Sequence, residues 1–313
     1  MKVLLTTTSF QDTPGVHQDL LYSQDFDIET LRGPILEAEL LPIIQNYDAV
    51  ICGDDEYTAA VIKKGAQGKL RYLCKYGVGL DRIDLKAAKQ YNVPVTNCPA
   101  VNQVSVSEHV LALLFTFEKN IHVQHNSVQS GSWKRWVGNE IQGKTIGIIG
   151  LGSVGKELAK KSSALGMKVL GFDLYKDEIF LSKYDEVAFV DSLDIIFEQA
   201  DVISLHLPHT AKTENLISRE VIFNKLKRNP IIINTARGML VDPIALIEGL
   251  KEKKIRGYLT DVLAHEPILD GEILRGVDNI VITPHVGSRT YQSVQRQGSM
   301  AVNNLLNLIK IES

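Results

Sequence analysis

Cysteine is scarce in this chain, and neither sign of charge is in excess. The three cysteines, Cys52, Cys74 and Cys98, show no C-x-x-C spacing, which argues against a disulfide framework and a thiolate metal site. The formal net charge of −3 gives no sign of nucleic acid or an anionic membrane surface as a partner. Long apolar runs are missing too. The densest, Val110 to Phe117, stops at Glu118, far short of the ~20 residues a membrane helix needs. Met1 to Thr8 has no basic leader segment, so a cytoplasmic protein without a signal peptide is expected. The pairs His122/His125 and His206/His209 have no thiolate or carboxylate to complete a ligand set, and no metal is expected.

With 313 residues, 44% of them hydrophobic, the chain can bury two cores. Short buried strands are expected at Val3–Thr6, Phe26–Leu31, Ala49–Cys52, Tyr72–Lys75 and Pro94–Thr96, with helices at Ile35–Asn46, Tyr57–Lys64 and Leu85–Tyr91. A long helix over Val101–Ser127, apolar on most sides, should be buried between domains or subunits. The alternation then resumes, with strands near Ile146, Val169, Val187, Val202, Ile231, Tyr258 and Ile280 and a last helix over Thr290–Ile309. Repeated strand–helix alternation predicts an α/β protein of two doubly wound, parallel-sheet, Rossmann-like domains.

The most informative stretch runs from Thr145 to Gly155, an apolar strand entering Gly150-Leu151-Gly152-Ser153-Val154-Gly155. Gly150 suits the tight turn after the strand, Gly152 allows a pyrophosphate to approach the backbone, and Gly155 allows the next helix to pack closely. The N–H groups of Ser153 and Val154 would hold the anion at the helix N-terminus. Three glycines at this spacing also occur in ordinary turns. Here the following strand ends on Asp173, about 20 residues on, where a carboxylate can bind ribose hydroxyls and repel a 2′-phosphate. The expected cofactor is therefore NAD. No such glycine turn follows the first strand, where Thr6 to Gln11 stands instead, so the first domain should not bind the dinucleotide.

Ligands of open α/β sheets collect beyond the carboxyl ends of the strands. Three strand ends carry suitable groups: Thr235-Ala236-Arg237 after Ile231–Asn234, Glu266 beyond Asp261, and His285 after Ile280–Ile282. Reducing a ketone requires a proton donor, a cation for a substrate carboxylate and a partner that keeps the donor charged. His285, Arg237 and Glu266 match these needs in type. Singly, each is as readily a turn residue, a helix entry or a loop residue. Their shared position on one sheet edge favours the catalytic reading. His206-Leu207-Pro208, ending the strand that starts at Val202, is placed to line the adenosine side of the cleft.

These residues resemble the D-2-hydroxyacid dehydrogenase family over almost the whole chain. The resemblance rests on Gly150-x-Gly152-x-x-Gly155, Asp173, His206-x-Pro208 with Thr213, Asn234-Thr235-Ala236-Arg237-Gly238, Asp261-Val262, Glu266-Pro267 and Thr283-Pro284-His285-x-Gly287. It implies that Arg237 binds substrate, His285 is the general acid/base and Glu266 pairs with it. It further implies that Asp261 holds the nicotinamide amide, with Thr235, Ala236 and Gly287 also at the cofactor, and that Val78 and Gly79 offer N–H groups to the substrate carboxylate. A substrate domain from residues 1–100 and 288–313, a cofactor domain from 101–287, and a homodimer follow from the same likeness. The helix over Val101–Ser127 and the Trp133/Trp136 pair are the expected interface, although the tryptophans could instead cover a core.

The loop from Lys75 to Asp84 looks most like the phosphoglycerate dehydrogenase branch, but the preceding strand leads into Asp54-Asp55-Glu56 where arginine is common. If these carboxylates face the substrate they disfavour a phosphate, unless Lys75, Arg82 or a partner subunit supplies a cation. Alternatively they point to solvent at the start of the helix near Tyr57. No regulatory domain is expected beyond Ser313. Two further readings share the fold: a dinucleotide-sensing protein similar to the C-terminal binding protein corepressors, and a phosphite-type oxidoreductase.

Overall fold

Runs such as Ala49-Val50-Ile51-Cys52 and Ile231-Ile232-Ile233-Asn234 are buried at every residue, the pattern of parallel strands covered on both faces. A computed structural model describes residues 1–312 and divides the chain into two compact units, Met1–Asn102 with the segment from Arg289 onward, and Gln103–Ser288.

The first unit holds a five-stranded parallel sheet of β1 (Lys2–Leu5), β2 (Asp27–Thr30), β3 (Ala49–Cys52), β4 (Tyr72–Lys75) and β5 (Val95–Thr96). Its order is β2-β1-β3-β4-β5. Successive residues of β1 serve opposite cores, with Leu4 packing beside Val50 and Leu73, and Val3 and Leu5 beside Ala49 and Ile51. The C-terminal helix Tyr291–Glu312 closes the second of these cores through Ala301, Val302 and Leu305.

The second unit holds seven parallel strands, β6 (Thr145–Ile149), β7 (Lys168–Phe172), β8 (Val187–Phe189), β9 (Val202–Leu205), β10 (Ile231–Asn234), β11 (Gly257–Thr260) and β12 (Ile280–Ile282). Their order is β12-β11-β10-β9-β6-β7-β8. Ile231 and Ile233 of β10 pack with Val110, Leu114 and Leu158, which come from helices Gln103–Glu118 and Ser153–Ala164. Ile232 faces the other way, toward Phe197 and Leu246. The sheet is thus covered on both faces, and its order reverses between β6 and β9, opening a crevice at their carboxyl ends.

The expected strands are all present, but two helices differ. The helix expected over Val101–Ser127 is two, Gln103–Glu118 and Ile121–Gln129, because Asn120 takes a left-handed conformation at φ 53° that ends the first. The second piece buries none of its residues. The helix expected over Ile35–Asn46 shrinks to Glu37–Leu40 and a 3-10 turn at Ile44–Asn46. Pro42 lies between them, and its ring would clash with the carbonyl four residues back. Among the described residues, no helix is long and apolar enough to cross a membrane.

Candidate active site

The glycine turn after β6 is built as a clamp. Gly150 sits at φ 101°, a conformation that side chains rarely adopt, and a Cβ there would lie 2.5 Å from the carbonyl oxygen of His206. Gly155 meets the Gly150 carbonyl so closely that any side chain would push the helix off the turn. Gly152, between them, is exposed, and a Cβ there would touch nothing within 4 Å. Above it begins the twelve-residue helix Ser153–Ala164, with Ser153 and Val154 in its first turn. An open backbone at the N-terminus of a long helix suits a pyrophosphate.

Asp173 follows β7, and its carboxylate accepts the Leu151 N–H at 2.7 Å and the Tyr175 N–H at 3.3 Å. It lines an open cleft of about 530 Å³ with Leu151, Lys156, Tyr175, Lys176 and Ile179. Across the switch point, His206 follows β9 and its Nε2 lies 2.8 Å from the Ser204 hydroxyl. Burial pulls its pKa down to about 4, so the ring is neutral near pH 7. Thr213 donates from Oγ1 to the Pro208 carbonyl at 2.7 Å, which shapes the loop after β9. Thr235, after β10, has a buried hydroxyl with no partner among the described residues. The open Gly152 turn, the carboxylate beyond β7 and this unpaired hydroxyl fit a bound dinucleotide.

The three chemical groups follow the ends of β10, β11 and β12, and two of them, Glu266 and His285, are in contact. Asn234 orders the turn before Arg237 by donating to the Arg237 carbonyl at 2.8 Å and accepting the Ala236 N–H at 3.1 Å. His285 Nδ1 lies 2.6 Å from Glu266 Oε2, and Glu266 Oε1 accepts the Leu263 N–H at 2.9 Å. The glutamate is therefore anchored to backbone on one oxygen and to the imidazole on the other. His285 itself has φ 51°, a strained value for a non-glycine residue.

Asp261 holds that turn in place. Its buried carboxylate accepts the Thr283 hydroxyl at 2.6 Å and the N–H groups of Val286 and Gly287 at 2.9 and 2.7 Å, while its own carbonyl accepts the His285 N–H at 2.9 Å. Burial alone would raise its pKa. The hydrogen bonds from His109, Thr283, Val286 and Gly287 outweigh that and hold it below the ordinary aspartate value. His109 was not among the residues singled out from sequence. A histidine directly before the apolar run Val110 to Phe117 was the available signal.

In the first unit, Val78 is exposed and Gly79 half-buried in the loop after β4. The three acidic residues after β3 do not stand in solvent at the start of the next helix, as one of the two expectations had it. Asp54 pairs with the Lys75 ammonium at 2.6 Å, and Glu56 pairs with Arg82 at 2.9 Å and accepts the Glu37 N–H at 3.0 Å. Asp55 is fully buried, accepting the Thr6 hydroxyl and the N–H groups of Ile35 and Gly53. The next helix, Ala59–Gln67, is capped by Thr58, not by an acid.

Residues 111–287 match the family model described as D-isomer specific 2-hydroxyacid dehydrogenase, NAD binding domain. The whole chain is 34% identical to D-3-phosphoglycerate dehydrogenase of Methanocaldococcus jannaschii, covering 58% of that protein. It spans about half the length of the phosphoglycerate dehydrogenases it matches, from 46% to 58%. Hydroxypyruvate reductase of Thermotoga maritima is 36% identical over 91% of this chain and 92% of its own. The apo-structure of Escherichia coli D-lactate dehydrogenase superposes with a TM-score of 0.87 at 27% identity, covering 100% of this chain and 98% of that one. With the strand order, the glycine turn and the Arg, Glu and His at three strand ends, these likenesses place the chain in the D-isomer specific 2-hydroxyacid dehydrogenase family.

Proposed function

We propose that the chain is an NAD-dependent D-2-hydroxyacid dehydrogenase acting as a 2-oxoacid reductase. The observation that carries the reading is the 2.6 Å contact between His285 and Glu266 on a turn organised by a buried carboxylate. When bound, NADH supplies the hydride that reduces the carbonyl carbon. His285 donates the proton to the carbonyl oxygen, and in the reverse direction takes it from the hydroxyl. With Nδ1 engaged by Glu266, Nε2 is the nitrogen assigned to that transfer, and Glu266 stabilises the ring while it is charged. Arg237 is assigned the substrate carboxylate, which its planar fork can hold by two parallel hydrogen bonds. Val78 and Gly79 are assigned the same group through their N–H donors. The first unit then serves substrate and the second serves cofactor, with Gly150, Gly152, Ser153, Val154, Gly155, Asp173, His206, Pro208, Thr213, Thr235, Ala236, Asp261 and Gly287 along the dinucleotide.

A small 2-oxoacid with an uncharged tail, such as hydroxypyruvate or glyoxylate, is the proposed substrate. Lys75 and Arg82, the cations that phosphate recognition would require, are paired with Asp54 and Glu56. Hydroxypyruvate should therefore outperform 3-phosphohydroxypyruvate in kcat/KM, and Asp54→Ala should narrow the gap by releasing Lys75. A wild-type preference for the phosphorylated compound would restore the phosphoglycerate reading. The general acid is tested directly by His285→Ala, which should lower kcat for reduction by on the order of 10² to 10⁴ with little change in NADH affinity. A wild-type rate would make His285 a structural residue.

A homodimer is proposed on the exposed apolar side chains between residues 121 and 137. Ile121, Val128, Trp133 and Val137 are 51%, 48%, 78% and 95% exposed. Val137→Asp should shift the sedimenting mass toward the monomer if this surface is the interface. A cytoplasmic location is proposed on Cys52, Cys74 and Cys98, all free buried thiols.

A further inference from the structure

Helix Gln103–Glu118 lays Val110, Leu113 and Leu114 against the second sheet, and His109 sits among them as a half-buried polar group. Its Nε2 lies 2.9 Å from Thr283 Oγ1 and 3.4 Å from Asp261 Oδ1. Thr283 already spends its hydroxyl proton on Asp261 Oδ1 at 2.6 Å, so toward His109 that oxygen can only accept. The proton between them therefore belongs to His109 Nε2. A directed chain results, from His109 through the Thr283 hydroxyl to Asp261. Asp261 in turn receives the N–H groups of Val286 and Gly287, on either side of which stand His285 and the end of the unit.

Gly287 shows how tightly this corner is filled. A Cβ there would lie 2.9 Å from Asp261 Oδ2 and 3.5 Å from the His109 ring, so carboxylate, glycine and imidazole are packed in direct succession. The left-handed backbone of His285 is held between the same partners, since its N–H is shared by the carbonyls of Asp261 and Thr283. A strained residue keeps its conformation only where its surroundings over-determine it.

We propose that His109 is a positioning residue for the nicotinamide end of the site, acting as an Nε2–H donor that fixes the Thr283 hydroxyl, the Asp261 carboxylate and hence the turn carrying His285. The inference rests on the dehydrogenase reading above. It asks for a neutral donor, not for a charge. His109→Gln keeps an N–H at about the same reach, while His109→Phe keeps the ring and loses the donor.

Both variants are made in the full chain. Affinity is measured for NADH and for ADP-ribose, which lacks the nicotinamide, together with hydroxypyruvate kinetics and Tm. His109→Phe should weaken NADH about tenfold and lower kcat, while ADP-ribose changes by less than about twofold, the size expected for losing one hydrogen bond in a charged network. His109→Gln should recover most of both losses. Equal weakening of NADH and ADP-ribose, no weakening of either, or a folded His109→Gln as impaired as His109→Phe would each overturn the proposal. Should His109→Phe fail to fold, Thr283→Val decides, because it removes the hydroxyl through which His109 acts and should give the same NADH-selective loss; unchanged NADH affinity there overturns the idea. A wild-type protein with no reductase activity on any 2-oxoacid would sink the dehydrogenase reading instead, and that result is read before any variant.

Discussion

Both sheets of this protein reverse their strand order once, between β1 and β3 in the first unit and between β6 and β9 in the second. Each reversal leaves a crevice at the carboxyl ends of the strands, yet the two crevices are treated in opposite ways. In the first, Asp55 turns inward and takes hydrogen bonds from Thr6, Ile35 and Gly53, so the crevice is stitched shut by its own polar groups. The helix that follows β1 is only Thr8–Asp12. In the second, a glycine turn leads into a helix of twelve residues, and the space beside Gly152 is open. Topology supplies a place for a ligand, and the residues at the turn decide whether one is admitted.

The largest effect expected from this contrast is on stability in the first unit. Asp55→Ala should cost about 3 kcal/mol in denaturant unfolding, since it strands the Ile35 N–H in a buried site and removes the nearest acceptor of the Thr6 hydroxyl. A loss below about 1 kcal/mol would mean the first crevice is not held by that carboxylate. Next comes Gly155→Ala, which should cost about 1–3 kcal/mol by overpacking against the Gly150 carbonyl and weaken NADH binding with it. Its control is Gly53→Ala, whose nearest contact would be Thr7 at 3.5 Å, and which should stay within about 0.5 kcal/mol of wild type. Equal outcomes for the two glycines would erase the distinction between the crevices.

Asp173→Ala should leave Tm within about 2 °C while shifting the NADH to NADPH preference by about tenfold toward NADPH. Lys176, the nearby cation, is paired with Glu178 at 3.0 Å and does not by itself invite a 2′-phosphate. An unchanged ratio of kcat/KM values would remove Asp173 from cofactor selection.

The smallest effect concerns two histidines, half-buried His206 at the open crevice and buried His17 in the first unit. Burial lowers both pKa values, to about 4 for His206. A folded state that keeps these rings neutral binds fewer protons than the unfolded chain below the ordinary value of 6.5. Stability from His206 is therefore complete above pH 6.5 and declines as pH falls toward 4. His206→Gln should flatten the fall in Tm across that window, and the same fall in variant and wild type would contradict the assignment.

The strand pattern was legible because apolar runs such as Ile231–Asn234 are short, fully buried and bounded by turn residues. The clamp was legible because Gly150, Gly152 and Gly155 answer local backbone demands at fixed spacing. Arg237, Glu266 and His285 could be proposed from their places at strand ends, though nothing local tied His285 to Glu266, 19 residues away. The helix break at Asn120 was missed because apolar periodicity carries through it.

What the sequence by itself determined is therefore what depends on neighbours along the chain: hydrophobic periodicity, the glycine turn, and the residue types available at each strand end. Only the tertiary structure decided which polar groups would face one another across long separations. Asp54, Asp55 and Glu56 are three consecutive acids, yet one pairs with Lys75, one is buried against Thr6 and Ile35, and one pairs with Arg82. His109 and Thr283 stand 174 residues apart and meet because a helix lies on the sheet whose last strand runs directly into Thr283. Hydrogen bonds and ion pairs act over a few ångströms of space, and spacing along the chain does not report that distance.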